Sequence, residues 1–111
     1  MAESDPRDLF PGALEMMVLR LLKLEPMHGY ALVQRIQQAS RNLLQVEEGS
    51  LYPALHRMEH AGWIKAEWDV TENNRRARLY RLTKAGERHL EEAQQKWNRL
   101  SKAVGKVLRF A

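Results

Sequence analysis

Between Gly62 and Ile64 the apolar residues of this chain stop recurring every three or four positions and begin to alternate. A helix keeps its apolar side chains on one face with a period near 3.6, and a strand does so with a period of 2. The chain must therefore build helices first and a hairpin afterwards, and each element has a single face to bury.

Ahead of the switch lie three helical stripes. Leu14, Met17, Val18, Leu21 and Leu22 mark a first helix of about 12 residues, ended by Pro26. A second begins at His28-Gly29-Tyr30 and carries Leu32, Val33, Ile36 and Ala39, with Ser40 and Asn42 loosening its end. The third follows Glu47-Glu48-Gly49. Ser50 is its expected N-cap, Leu51, Ala54, Leu55 and Met58 its buried stripe, and Gly62 its stop. Pro53 is expected in the first turn, where a missing N–H costs little.

Beyond the switch, Ile64, Ala66, Trp68 and Val70 predict a strand with one buried face, and Arg78, Tyr80 and Leu82 a second short strand. The polar stretch between them makes a hairpin whose tip carries Asn73, Asn74, Arg75 and Arg76. Thr83 is expected to cap a last, long helix. On it Leu90, Ala93, Trp97, Leu100, Val104 and Val107 recur at alternating steps of three and four, the seam of a coiled coil.

Three helices, a two-stranded wing and a terminal helix make a mainly α, α+β architecture: a winged helix-turn-helix followed by a dimerisation helix. The expected organisation is a flexible lead-in over 1–11, a winged-helix unit over 12–83 and a dimerisation helix over 84–111. The length, 111 residues, suits one domain.

Composition narrows the chemistry. Without cysteine there can be no disulfide, thiolate metal site or cysteine nucleophile. The acidic start Met1-Ala2-Glu3-Ser4-Asp5 is unlike a signal peptide, and no apolar run approaches the roughly 20 residues of a membrane span. The sequence reads as soluble and cytoplasmic, with no membrane partner. A net charge of +4 is a mild prior for a nucleic-acid partner, so the placement of charge must decide.

That placement favours double-stranded DNA. The third helix suits the major groove, which admits an α-helix. Its outward positions include Ser50, Pro53, His56, Arg57 and His60. Arg57 could read guanine bidentately or hold a phosphate, and Ser50 with the first amides could hold a phosphate at the helix N-terminus. Arg75, Arg76, Arg78 and Arg81 crowd into seven residues, with Asn73 and Asn74 suited to the turn. A wing over Glu72–Arg78 with that charge could reach the DNA backbone or the minor groove. The bland alternative, a solvated charge run, explains the wing less well once the helix order precedes it. The apolar seam of Leu90, Trp97, Leu100 and Val104 would be left partly bare on a lone protomer, which predicts a homodimer. Two recognition helices on a two-fold axis then predict a palindromic operator with half-sites roughly 34 Å apart.

The blocks Met27-His28-Gly29-Tyr30-Ala31-Leu32, Gly49-Ser50-Leu51-Tyr52-Pro53-Ala54-Leu55-His56-Arg57-Met58-Glu59 and Tyr80-Arg81-Leu82-Thr83-Lys84-Ala85-Gly86 resemble PadR-type regulators, over about residues 12–108. The resemblance implies a repressor that dimerises through its last and first helices, which adds Leu14 and Val18 to the interface. It places Tyr52 and Pro53 at the DNA-facing start of the recognition helix and Tyr30 near the DNA backbone. A single terminal helix is similar to the short subfamily. A small aromatic or hydrophobic effector near the dimer interface is also implied, and Trp97 then reads as dimer core, as the wall of a ligand pocket, or both. Two positions depart mildly from the family pattern: Leu79, where a second aromatic is common, and Arg78, where lysine is common.

Two other readings compete with DNA binding. His56-Arg57-Met58-Glu59-His60 formally matches an H-x-x-E-H metalloprotease pattern, but no remote third ligand is visible. No catalytic residue, metal or cofactor is therefore expected. A protein-interaction module on a winged-helix scaffold, without DNA binding, is the alternative function; it has little need of a basic wing.

Overall fold

A computed structural model describes residues 12–110. The expected lead-in over 1–11 lies outside the described residues. Four helices and three strands follow in the order α1 (Ala13–Leu24), β1 (Met27–His28), α2 (Gly29–Ala39), α3 (Glu48–His60), β2 (Ile64–Val70), β3 (Arg76–Leu82) and α4 (Lys84–Phe110). The class is α+β, with an antiparallel sheet in the order β1-β3-β2.

The helical stripes converge as their periods require. Val18, Leu19, Leu32, Leu51, Leu55 and Met58 are each less than 2% exposed. Each such side chain contributes about 1.5–3 kcal/mol of transfer free energy. Met27, Ile64, Tyr80 and Leu90 close the same core from the sheet and from α4.

The sheet has one strand more than the expected hairpin. Met27 pairs with Tyr80 and His28 with Leu79, so β1 adds a short third strand. His28 secures it: its Nδ1 lies 3.1 Å from the Arg78 carbonyl oxygen and its Nε2 3.3 Å from Asp69. A two-residue strand has no period to betray it, and only the presence of β3 alongside creates it.

Three local expectations change. The third helix starts at Glu48 with Glu47 at the N-cap, so Ser50 lies inside its first turn and is not the cap. The Ser50 and Leu51 amides both donate to the Glu47 carbonyl, which closes the turn one step early. Pro53 is then the sixth helical residue, where its ring removes the amide that would donate to the Gly49 carbonyl. The face carrying Ile64, Ala66, Trp68 and Val70 is buried only at its root. Ile64 is 3% exposed, but Trp68 is 63% and Val70 60%, because the strands run outward past the helical layer.

Other signals operate as expected. Gly62, with φ of +82°, ends α3: its amide donates to the Glu59 carbonyl and that of Trp63 to the Met58 carbonyl. Thr83 caps α4, its hydroxyl accepting the Gly86 amide at 3.0 Å. The same hydroxyl donates to the Gly62 carbonyl at 2.7 Å, which ties the root of α4 to the end of α3. Trp63 stacks on His89 of α4 with ring centroids 3.6 Å apart.

Candidate nucleic-acid interface

The recognition-helix residues fall where the stripe sends them. Leu51, Ala54, Leu55 and Met58 are buried, which turns Tyr52, Pro53, His56, Arg57 and His60 to solvent. Ser50 is half-buried. The Tyr52 ring lies against the start of α2, where a Cβ on Gly29 would meet its hydroxyl at 2.9 Å. Tyr30 is exposed and accepts a hydrogen bond from the Gln34 amide at 3.0 Å.

The wing turns over residues 71–75. The Thr71 amide donates to the Arg75 carbonyl, and Asn74 to that of Thr71, with Asn74 left-handed at φ +59°. Asn73, Asn74 and Arg75 form the tip as expected. Arg76 does not: it is the first residue of β3, paired with Val70.

The four arginines of this segment separate by partner. Arg81 meets Glu67 across the ladder. Arg78 donates to Glu59 of α3 at 2.8 Å. Arg75 and Arg76, among the described residues, have no carboxylate within ion-pair distance. Arg76 instead lies 4.7 Å above the ring of Trp68. Arg57 bonds Glu15 of α1 at 2.9 Å while remaining 65% exposed. A pair that open to water contributes little to stability, so Arg57 can exchange Glu15 for another anion.

Residues from three separate sequence segments meet around one cleft. Tyr30 of α2, Tyr52, Pro53 and His56 of α3, and Arg76 and Arg78 of β3 line a space of about 640 Å³, floored by Tyr80. Burial pushes the Tyr80 phenol above its ordinary pKa, against the opposing pull of Arg78. Glu59, which sequence reasoning passed over, is the acidic group of this cleft and orients Arg78. Its sequence signals were a position two turns from Tyr52 and one turn from His56 on the same helix, and its place in the H-x-x-E-H pattern.

The residues expected at a dimer interface divide differently. Val18 is fully buried and Leu90 only 3% exposed, so both belong to the protomer's own core and cannot face a partner. A stripe reports that a face is covered, not by what. Leu14, Ala93 and Trp97 are half-buried, whereas Leu100, Val104 and Val107 are 50%, 47% and 70% exposed. Trp97 lines two grooves, one of about 480 Å³ with Met17, Ile36 and Leu44, the other of about 490 Å³ with Ala13, Ala93 and Leu100.

A winged helix whose recognition helix and arginine-bearing strand share a cleft is the geometry of a DNA-binding regulator. The family model described as "Transcriptional regulator PadR-like family" matches residues 18–92. The chain belongs to the PadR-like family. A Mycobacterium tuberculosis protein named transcriptional regulator Rv3488 is 33% identical over 98 residues, 88% of each chain. Among solved structures, a PadR family regulator from Eggerthella lenta is 37% identical with a TM-score of 0.78, over 87% of this chain and 82% of that one. A Clostridium thermocellum transcriptional regulator reaches a TM-score of 0.82 at 27% identity, over 89% of this chain and 96% of the other. PadR-like regulators act by binding DNA and are not enzymes, which is the reading that the cleft supports. Among the described residues no helix is long and apolar enough to cross a membrane.

Proposed function

We propose that this PadR-like regulator represses transcription as a homodimer on a palindromic operator and is released by a small aromatic or hydrophobic effector. The observation that carries the DNA-binding part is the shared cleft between α3 and the wing. In this reading α3 enters the major groove with Tyr52, Pro53, His56 and Arg57, and Ser50 stands near the backbone at its first turn. Tyr30 and the wing residues Asn73, Asn74, Arg75, Arg76 and Arg78 hold phosphates or the adjacent minor groove. Residues 12–83 grip the DNA and 84–111 pair the protomers.

Pairing is supported by α4. At 1.5 Å per residue its 27 residues extend about 40 Å, yet only Gly86 and Leu90 are buried. Leu100, Val104, Val107, Leu108 and Phe110 leave an apolar length that a second copy would cover. Trp97, between two grooves beside that seam, supports an effector site there.

Gel shift on the protein's own promoter at low salt tests the DNA-binding reading. Retention by a dimer, falling steeply with salt, is expected. Failure to retain any duplex at low salt overturns it. Titration with planar aromatic compounds should quench Trp97 fluorescence; a Trp97→Phe variant with full transcriptional response would remove that residue from the effector site.

A further inference from the structure

Trp68 is a large apolar side chain on a face whose other end is core, yet it is 63% exposed. The ladder sets Trp68 opposite Arg78 and Val70 opposite Arg76, so all four side chains leave the same face of the wing. The Arg76 guanidinium lies 4.7 Å over the Trp68 ring and that of Arg78 6.0 Å from it. Arg78 has other supports: Glu59 at 2.8 Å and the Tyr80 ring at 5.8 Å. Arg76 has no carboxylate partner among the described residues, and Trp68 is the contact that holds it.

We propose that Trp68 is a positioning residue for DNA binding: its ring holds the Arg76 guanidinium, already ordered and still accessible, at the edge of the recognition-helix cleft for a backbone phosphate. The inference rests on the DNA-binding reading above. An arginine loses much rotamer freedom when a ligand fixes it. An aromatic face attracts the guanidinium without occupying its N–H donors, so the side chain is ordered in the free protein and all its donors stay available. A glutamate partner would order it equally well but would compete with the phosphate. That difference separates Arg76 from Arg78 and Arg81, whose donors already meet carboxylates.

The test uses the intact protein and an arbitrary-sequence duplex about 30 base pairs long, since a backbone contact does not depend on sequence. Trp68→Leu keeps apolar bulk but removes the ring face. It should weaken binding about two- to fivefold per wing, or about 4- to 25-fold where both wings of a dimer engage, with little change in salt slope. Trp68→Phe should restore most of the affinity. Arg76→Ala should weaken binding and also flatten the slope by about 0.9 per wing, because a phosphate contact is lost. In the Arg76→Ala background, Trp68→Leu should have no further effect, since its action passes through that arginine.

Equal binding by Trp68→Leu and wild type overturns the inference, as does an equal loss in the Arg76→Ala background. A loss that Trp68→Phe does not repair, accompanied by a fall in melting temperature, would assign Trp68 to folding and likewise overturn it. Wild-type protein that binds no duplex overturns the DNA-binding reading itself, so the two failures are distinct.

Discussion

Gly86 is the third residue of α4, and a side chain there has nowhere to go. A Cβ would lie 2.0 Å from the Trp63 carbonyl oxygen, 2.9 Å from the Trp63 carbonyl carbon and 2.7 Å from Leu82 Cδ1. The nearest obstacle is backbone, and it is held: the Trp63 carbonyl accepts the Thr83 amide at 3.1 Å, and Thr83 is itself bonded to Gly62. Gly86→Ala must therefore move the α3–β2 junction by an ångström or more, or tilt α4 away from it. Overpacking costs about 1–3 kcal/mol, and a lost or stretched hydrogen bond adds about 1 kcal/mol. Alanine returns up to about 1 kcal/mol of helix propensity, less in a first turn. The net expectation is a destabilisation of about 1–4 kcal/mol. At about 4 °C per kcal/mol for a domain of this size, the melting temperature should drop by about 4–16 °C. Thermal melts by far-UV circular dichroism, at matched protomer concentration, measure it. The exposed neighbour Lys84, changed to Ala, should stay within about 0.5 kcal/mol of wild type. A Gly86→Ala protein that melts at or above the wild-type temperature would refute the packing account of this junction.

Replacing Arg75 and Arg76 together with Ala should lower affinity for all duplexes. It should also reduce the salt slope of a dimer by about 3 to 4, at about 0.9 for each of four lost phosphate contacts; an unchanged slope by anisotropy would remove both from the interface. Leu100→Glu with Val104→Glu puts charges into the proposed seam at positions half-exposed in the protomer. Sedimentation should show monomers, with dimer affinity down roughly a thousandfold or more and little loss of protomer helicity, whereas an intact dimer would place the interface elsewhere. Burial raises the Tyr80 pKa, so above about pH 10 the folded state binds its proton more tightly than the unfolded state does. That contribution is complete below the unfolded value and is lost as pH rises through the folded one. Urea midpoints between about pH 9 and 11 should fall more steeply for wild type than for Tyr80→Phe, and parallel curves would contradict the shift.

Much of the candidate binding surface was legible because it is local. Tyr52, Pro53, His56 and Arg57 face outward for the same reason that Leu51, Ala54, Leu55 and Met58 face inward, and both follow from one helical period. The wing tip at Asn73, Asn74 and Arg75 was legible from its turn residues. The cap at Glu47 was not, because Ser50 offered a better side chain and the backbone closed the turn without it. Charge partners were also hidden. Arg57 with Glu15 and Arg78 with Glu59 are separated by 42 and 19 residues, and only the packing of α3 on α1 and on the sheet brings them together.

The order of the four helices and the two wing strands, the stripe that each of the first three helices buries and the family to which the chain belongs were legible in the sequence alone, since hydrophobic period and turn residues act within a few positions. What covers each face was decided by the tertiary structure. It drew Val18 and Leu90 into the protomer's core, left Trp68 and Val70 in the open, and added β1 to the sheet. It also sorted four equivalent arginines into two already held by glutamates and two free of carboxylate partners among the described residues. The physical reason is the same in each case: a periodic pattern specifies a direction for a side chain, and only the folded chain determines what stands in that direction.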